Sequence, residues 1–148
     1  MREIEFRAYI KDIKKIVDIY NIDFLQETIS FTNPYDTKYT SREFNQVELM
    51  QYTGLCDKKG TKIFEGDIVE MHYFFENHDP STLGVFEDEA YIKGYLQYDE
   101  LGLVLIDKNH KKCRVSEYVQ EPCEELEIIG NIHDTPELLT HQHEDKGE

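Results

Sequence analysis

The sequence has few cysteines, few basic residues and no long apolar run, and each shortage excludes a class of protein. Its cysteines, Cys56, Cys113 and Cys123, are odd in number and lie in no C-x-x-C or zinc-finger spacing. This indicates a reduced protein without a disulfide framework. No apolar stretch approaches the roughly 18 residues of a membrane span, and residues 1–12 lack the apolar segment of a secretory signal. We therefore expect a cytoplasmic protein with no membrane partner.

The scarcity of lysine and arginine is concentrated in the second half of the chain. The formal net charge is −15 over 148 residues. Residues 70–100 carry eight acidic side chains and one basic one, and residues 117–148 carry ten and one. Such a field repels phosphate backbones, which argues against direct nucleic-acid binding. The acidic surface can serve solubility alone, or it can imitate nucleic acid and bind a basic partner.

Short β-type segments separated by turn residues fill most of the sequence. Ile4, Phe6 and Ala8 alternate with polar residues, which is the pattern of a strand with one buried face. Tight turns at glycines further along indicate a strongly curved sheet. The near-regular spacing of the short strands predicts a mainly β fold, a small barrel or a sandwich. Of these we expect a small, strongly curved, SH3-like barrel with an N-terminal β extension and one or two short helices. No internal repeat or domain linker is visible, and this predicts one compact domain over 1–139, with an N-terminal element (1–47), a barrel-like core (48–139) and a disordered tail (140–148).

Three local predictions can be tested directly against the structure. Residues 15–32 read as two short strands, although the first twelve of them could also form an amphipathic helix. Thr40 and Glu43 have the spacing of a helix capping box, which predicts a short helix over 41–48. Residues 76–90 are polar, acidic and interrupted by proline and glycine, which predicts a long loop or an excursion at the rim of the barrel.

A metal site has weak support in the sequence. Glu70 and His72 lie two residues apart on a predicted strand, hence on one face, and His78 follows downstream. A metal needs three or four ligands that converge on one point, and this spacing does not produce convergence. We therefore predict no metal, with these three residues as the weak candidates.

A catalytic nucleophile has no better support. The available pairs are Cys113 or Cys123 with His110, and Ser81 with His78. A nucleophile needs a base within hydrogen-bond reach and a third group that orients the base, and none of these pairs lies in such a motif. The glycines match neither a dinucleotide-binding nor a Walker motif. We expect no catalytic residue, no cofactor and no enzymatic activity.

Aromatic side chains are concentrated in the acidic region. Because side chains alternate along a strand, Tyr73 and Phe75 face opposite to Phe74. A small barrel cannot bury both faces of a strand unless something covers the outer one. We expect a homo-oligomeric interface there, with cover by a loop of the same chain as the alternative. The candidate interface residues are Tyr73, Phe75, Phe86, Tyr91 and Tyr95.

Three blocks of sequence, "MREIEFRAY", "LMQYTGLCDKKGTKIFEGDIV" and "LEIIGNIHDTPELL", resemble the YopX family of phage and prophage proteins. The resemblance implies a phage-encoded cytosolic protein with a YopX-like, barrel-like C-terminal domain, in a functionally uncharacterised family whose members can oligomerise. It supplies no catalytic residue, and Cys56 stands where the family often has a charged residue, so it is not a shared functional thiol. We interpret the central motif as structural: Tyr52, Thr53, Gly54, Leu55, Asp57, Gly60, Phe64, Glu65, Gly66 and Asp67.

The leading functional hypothesis is a non-enzymatic phage or prophage accessory protein that self-associates and binds a host or phage component. One alternative is an acidic decoy that inhibits a host DNA-binding or defence protein. Another is a protein that sequesters or hydrolyses a nucleotide-like ligand in a pocket between subunits.

Overall fold

The computed structural model describes residues 3–140, which contain eleven β-strands and two short α-helices. The chain divides into two compact units, Met1–Gly54 and Leu55–Glu148. The division falls close to the predicted internal boundary after residue 47, and the predicted single domain stays a prediction. The predicted disordered tail, 140–148, lies outside the described residues except for Thr140.

The first unit is an antiparallel sheet in the order β4-β3-β2-β1-β5. Its core consists of apolar residues that alternate with polar ones, as predicted for Ala8. Phe6 is half-buried, and Ile4 precedes the first strand and is exposed. Ala8, Ile10 and Phe31 are fully buried in this core. The strands are β1 (Phe6–Ile10), β2 (Lys15–Asp23), β3 (Thr28–Thr32), β4 (Tyr39–Glu43) and β5 (Val47–Cys56), which ends in the second unit.

Residues 15–32 form the two predicted strands and not the alternative helix. Asp23 explains the turn between them, since its Oδ1 accepts hydrogen bonds from the backbone N–H groups of Leu25 and Gln26 at 2.9 and 3.0 Å. The side chain therefore replaces a backbone acceptor at the point where the chain must reverse.

The short helix predicted over 41–48 is wrong. The first half of this segment belongs to β4, whose Ser41 pairs with Ser30 of β3. Only a single 3-10 turn, Phe44–Gln46, follows the strand. The capping box exists three residues later than predicted, because the Glu43 N–H donates to the Gln46 side chain at 2.9 Å. Strand pairing outweighs the local cap at Thr40.

The second unit contains an antiparallel sheet in the order β10-β9-β8-β7-β11. Val69, Met71, Leu96 and Leu105 are buried at its centre, and two helices, α1 (Val115–Tyr118) and α2 (Pro122–Glu125), precede the last strand. The short strand β6 (Lys62–Phe64) also lies in the second unit. The remaining strands are β7 (Asp67–His78), β8 (Val85–Asp99), β9 (Gly102–Ile106), β10 (Lys112–Arg114) and β11 (Leu126–Asn131).

The mainly β class is confirmed, with two antiparallel sheets and few short helices. The predicted barrel is not confirmed, because among residues 3–140 each strand order begins and ends at a different strand and no sheet closes on itself. None of the helices in this described range is long and apolar enough to cross a membrane.

The long loop predicted over 76–90 is wrong. Strand β7 continues to His78 and β8 begins at Val85, so only a short turn separates them. Asp79 closes this turn: its N–H donates to the Gly84 carbonyl at 2.9 Å, and its Oδ1 accepts bonds from the N–H and hydroxyl of Ser81 at 2.8 and 2.7 Å. The proline and glycine therefore mark a tight turn inside a long hairpin.

Candidate functional site

The outer part of the β7–β8 hairpin extends past its neighbouring strands. Strand β11 pairs with β7 only as far as Met71, and β9 pairs with β8 only from Tyr95 onward. Beyond those points, among residues 3–140, β7 and β8 pair only with each other, from His72 with Tyr91 to His78 with Val85. We call residues 72–91 the arm. It contains five carboxylates and no lysine or arginine.

One face of the arm continues the buried face of the second unit. Tyr73 lies beyond Met71 on this face and meets Tyr118 of α1 edge-on, with ring centroids 5.1 Å apart. Phe75 follows at 5.9 Å from Tyr73 and is 39% exposed, and Phe86, on the same face by the strand pairing, is 47% exposed. The chain itself covers the base of this face and leaves its outer part open.

The opposite face carries a cluster around His72. The His72 ring stacks on Tyr91 at 4.5 Å between centroids and contacts Phe74 at 4.6 Å. Its Nε2 lies 2.7 Å from Oε2 of Glu89. Phe74 and Tyr91 are both more than half exposed, which leaves an aromatic surface beside carboxylates. From the sequence, His72 was a weak metal candidate and Tyr91 an interface candidate. Only the cross-strand pairing shows that they lie together with Phe74 and Glu89.

The predicted interface residues fall into two groups. Tyr73, Phe75, Phe86 and Tyr91 lie on the arm. Tyr95 lies at its base, paired with Ile68 of β7 and Ile106 of β9, and is half-buried within the sheet. Phe74, which the prediction omitted, is more exposed than Phe75. The sequence signal for Phe74 was the strand alternation, which places it on the face opposite to Tyr73 and Phe75.

The weak metal candidates do not converge. Glu70, His72 and His78 share a face of β7, but His78 is six residues beyond His72, which corresponds to about 20 Å along a strand. His72 instead bonds to Glu89. Among residues 3–140, no three His, Cys, Asp or Glu side chains group so that they could hold a metal ion.

The candidate nucleophiles have other contacts. The Ser81 hydroxyl donates to Asp79 at 2.7 Å, and the Cys113 thiol donates to the Leu105 carbonyl at 3.7 Å. Burial raises the pKa of Cys113, with the Asp107 charge adding to the effect. A thiol with a raised pKa is mostly protonated at neutral pH and is a weak nucleophile. Cys123 lies exposed on α2, and His110 lies in the turn before β10.

Asp57 of the central motif ties two distant segments of the second unit together. It is 3% exposed, and its carboxylate accepts backbone N–H bonds from Lys59 and Thr61 at 3.0 Å and from Ile128 of β11 at 3.1 Å. Burial alone would raise the pKa of Asp57, but the bonds from Ile128, Thr61 and Lys59 outweigh it and hold the pKa below its ordinary value. Its oxygens are occupied by the fold.

Asp67 forms a similar junction at the start of β7. It is buried and accepts the Phe64 N–H at 2.8 Å and the Asn131 side-chain amide at 3.1 Å. Between these strands Gly66 adopts a φ of 88°, a conformation that side chains rarely permit, and its N–H donates to the Leu96 carbonyl at 2.8 Å. Glu65 accepts the Tyr98 N–H at 3.1 Å.

The other motif residues occupy strand and turn positions. Gly54 and Gly60 have positive φ angles of 86° and 82°, and Leu55 lies half-buried near the end of β5. Tyr52 and Thr53 are buried in β5, and Phe64 is buried in β6. These motif residues therefore lie in strands and turns, whereas the exposed aromatic side chains of the candidate site lie on the arm.

A cavity in the first unit offers little to a phosphate-bearing ligand. It has a volume of about 470 Å³ and lies beside the β2–β3 turn. The carboxylates of Glu27 and Glu43 line it together with Gln26, Phe44 and Asn45. Two acidic side chains oppose a nucleotide phosphate.

Comparison with known proteins gives a shared fold and a family. The chain resembles the crystal structure of protein EF1440 from Enterococcus faecalis with a TM-score of 0.55 and 22% identity. The alignment covers 94% of this chain and 99% of that one, and at this identity it shows a shared fold. No curated protein matches the sequence. The family model described as YopX protein matches residues 5–140, which confirms the resemblance drawn from the sequence blocks. This chain belongs to the YopX family.

Proposed function

We propose that this protein is a non-enzymatic accessory protein of a phage or prophage that binds a basic partner protein in the bacterial cytoplasm through its arm. The observation that carries the proposal is the arm itself, a two-stranded extension with exposed aromatic residues on both faces and five carboxylates without a cation. The family membership and the resemblance behind it support the phage setting.

The apolar surface of the arm is suited to a macromolecular partner. Several large apolar side chains are exposed within twenty residues, and such concentrated exposure on a protein marks an interaction surface. A few residues supply most of the binding energy in protein interfaces, and aromatic residues are enriched in interface cores. The exposed residues are Phe74, Phe75, Leu83, Val85, Phe86 and Tyr91.

The charge of the arm favours a basic partner. Carboxylates at Glu76, Glu87 and Glu89 on one face and Asp88 on the other give both faces the same sign. This field attracts cationic proteins, raises their association rate and repels nucleic acid. The acidic-decoy hypothesis is the case in which the basic partner is itself a nucleic-acid-binding protein.

A capture experiment with matched variants tests the proposal. Wild-type protein, Phe86→Ser and Phe24→Ser are immobilised and exposed to bacterial lysate, and the captured proteins are identified, purified and titrated. Phe24 is a fair control because it is 74% exposed but lies outside the arm. We expect a basic protein whose affinity falls about tenfold or more with Phe86→Ser, is unchanged with Phe24→Ser and weakens between 50 and 300 mM salt, on the order expected for aromatic anchors and screened charges.

Two further results decide the proposal. If duplex DNA displaces this protein from the purified partner, the partner is engaged as a nucleic-acid-binding protein and the decoy hypothesis gains direct support. If the captured proteins bind Phe86→Ser as tightly as wild type, or if no captured protein is basic, the arm is not the binding surface and the proposal fails.

A further inference from the structure

The outer edge of β8 is a free sheet edge. In the described range, β8 has two neighbours, β7 and β9, and β9 reaches only as far as Tyr95. From Lys93 to Val85 the strand therefore pairs on one side alone. A free edge presents unpaired backbone donors and acceptors and is a template for another strand. A two-stranded ribbon is also marginally stable without further cover.

The direction of each backbone group on this edge follows from two hydrogen bonds. The Glu89 N–H donates to the Asp88 side chain at 2.9 Å, so it does not donate across to β7. On the facing strand the His78 N–H likewise donates to its neighbour Asn77 at 2.9 Å. Hydrogen-bonded and non-hydrogen-bonded pairs alternate in an antiparallel ladder, and Glu89 and His78 therefore both belong to non-hydrogen-bonded pairs.

The same alternation fixes the rest of the edge. The N–H and C=O groups of Val85, Glu87, Tyr91 and Lys93 point away from β7, while those of Asp88 and Ala90 point towards it. Outward donors and acceptors on alternate residues are the arrangement that an added strand requires, and in this row the Glu89 N–H is already taken by the Asp88 side chain.

We propose that the partner inserts an extended basic segment as an added β-strand along the outer edge of β8, between Val85 and Lys93. This inference rests on the proposed function and names the form in which the partner binds. The backbone groups of the edge supply affinity, and the side chains of 85–91 supply selectivity through direct cross-strand pairs.

The carboxylates of the edge select the occupant. Glu87, Asp88 and Glu89 are consecutive, so an added strand meets an acidic side chain on both faces at the middle of the edge. Opposite charges in direct cross-strand pairs are favourable, and like charges are unfavourable. A second copy paired edge to edge around Asp88 would bring these carboxylates together, whereas a segment with consecutive lysines complements them.

A short peptide probe can report this pairing. The sequence Thr-Val-Lys-Lys-Lys-Val-Thr places lysines opposite 87–89 and β-branched residues opposite Phe86, Ala90, Val85 and Tyr91, in either strand direction. The same peptide with glutamates in place of the lysines is the charge control. We expect the lysine peptide to bind and the glutamate peptide not to bind.

Two substitutions at Glu87 separate backbone pairing from charge. Glu87→Ala and Glu87→Pro both remove the carboxylate, but only proline also removes the outward N–H, and edge positions whose N–H faces solvent tolerate proline. We expect Glu87→Ala to weaken peptide binding about two- to threefold and Glu87→Pro to weaken it about fivefold further, the loss expected for one hydrogen bond. Circular dichroism checks that both variants fold.

Amide hydrogen exchange supplies an independent readout on the wild type. With peptide bound, the amides of Glu87 and Tyr91 should exchange more slowly, and those of Asp88 and Ala90, which already point towards β7, should change little. Equal binding by the two Glu87 variants without protection at Glu87 and Tyr91 would overturn strand addition, while leaving the arm as a charged binding surface. Absence of peptide binding also overturns it, and the capture experiment with Phe86→Ser then decides the proposed function separately.

Discussion

Asp57 is a buried carboxylate whose hydrogen bonds join distant segments of the fold. Its carboxylate serves three backbone N–H groups, and Ile128, one of these donors, lies 71 residues away. Asparagine at this position keeps one oxygen for Lys59 and Thr61 but turns a donor towards Ile128. We predict that Asp57→Asn lowers the free energy of unfolding by about 1–3 kcal/mol at pH 6, the cost of a buried donor left without an acceptor. Urea denaturation followed by far-ultraviolet circular dichroism measures this.

The pH dependence of that loss gives the control. Because the folded-state pKa of Asp57 lies below its ordinary value of 3.8, the carboxylate stabilises the protein above that pH and loses this contribution as the pH falls through the folded-state pKa. The difference between wild type and Asp57→Asn should therefore shrink from pH 6 towards pH 2.5. Asp36→Asn is the matched exposed control, since Asp36 also accepts a backbone N–H, at 2.9 Å. A pH-independent difference would show that the bonds to Asp57 do not depend on its charge.

At the scale of elements, the strands whose alternation was clear could be predicted and the arm could not. The first strand and the 15–32 hairpin follow from local patterns. Residues 85–90 contain three consecutive acidic residues, which have low strand propensity. Their strand depends on cross-strand partners such as Phe74 and Phe75, far away in sequence. A local pattern carries no information about such partners.

The residues of the candidate site could be predicted from the sequence, but their arrangement could not, because it depends on distant segments of the chain. The aromatic residues Tyr73, Phe75, Phe86 and Tyr91 were visible as a concentration in an acidic region, and alternation assigned them to faces. Their arrangement as an extension with a free edge depends on where β9 and β11 stop pairing, at Tyr95 and Met71. The turn at Asp107 ends β9 after Ile106, and β11 begins only at Leu126, so both end points depend on segments outside the arm.

Shortening the hairpin tests whether the arm is separate from the core. Replacement of residues 74–89 by Asn-Gly should close a two-residue turn after the Tyr73–Ala90 pair, which is a hydrogen-bonded pair as such a turn requires. Because the buried cluster around Val69 and Leu96 lies below this point, we predict a change of less than about 1 kcal/mol in the free energy of unfolding, within the range of surface changes. Met71→Ala, in the core, should cost about 2–5 kcal/mol. A shortened protein as unstable as Met71→Ala would make the arm part of the folding core.

At the scale of the whole molecule, the net charge of −15 causes copies of the protein to repel one another and attracts basic proteins. Salt screens repulsion between copies of the protein and equally screens attraction to a basic partner. The self-association expected from the sequence and the proposed binding of a basic protein therefore respond to salt in opposite directions. This difference separates the two kinds of interaction without knowledge of the partner.

Sedimentation equilibrium at 50 and 500 mM sodium chloride makes that comparison. If copies associate through the apolar faces of the arm, the mean mass should rise with salt, because the Debye length falls from about 14 Å to about 4 Å and the carboxylates at 87–89 repel less. The shortened hairpin variant should remain at 17.6 kDa less the removed residues at both concentrations. A mass that falls with salt would indicate ion pairs between copies, and association that survives the shortening would place the interface outside the arm. Binding of the lysine peptide, measured in the same two buffers, should weaken as the salt concentration rises.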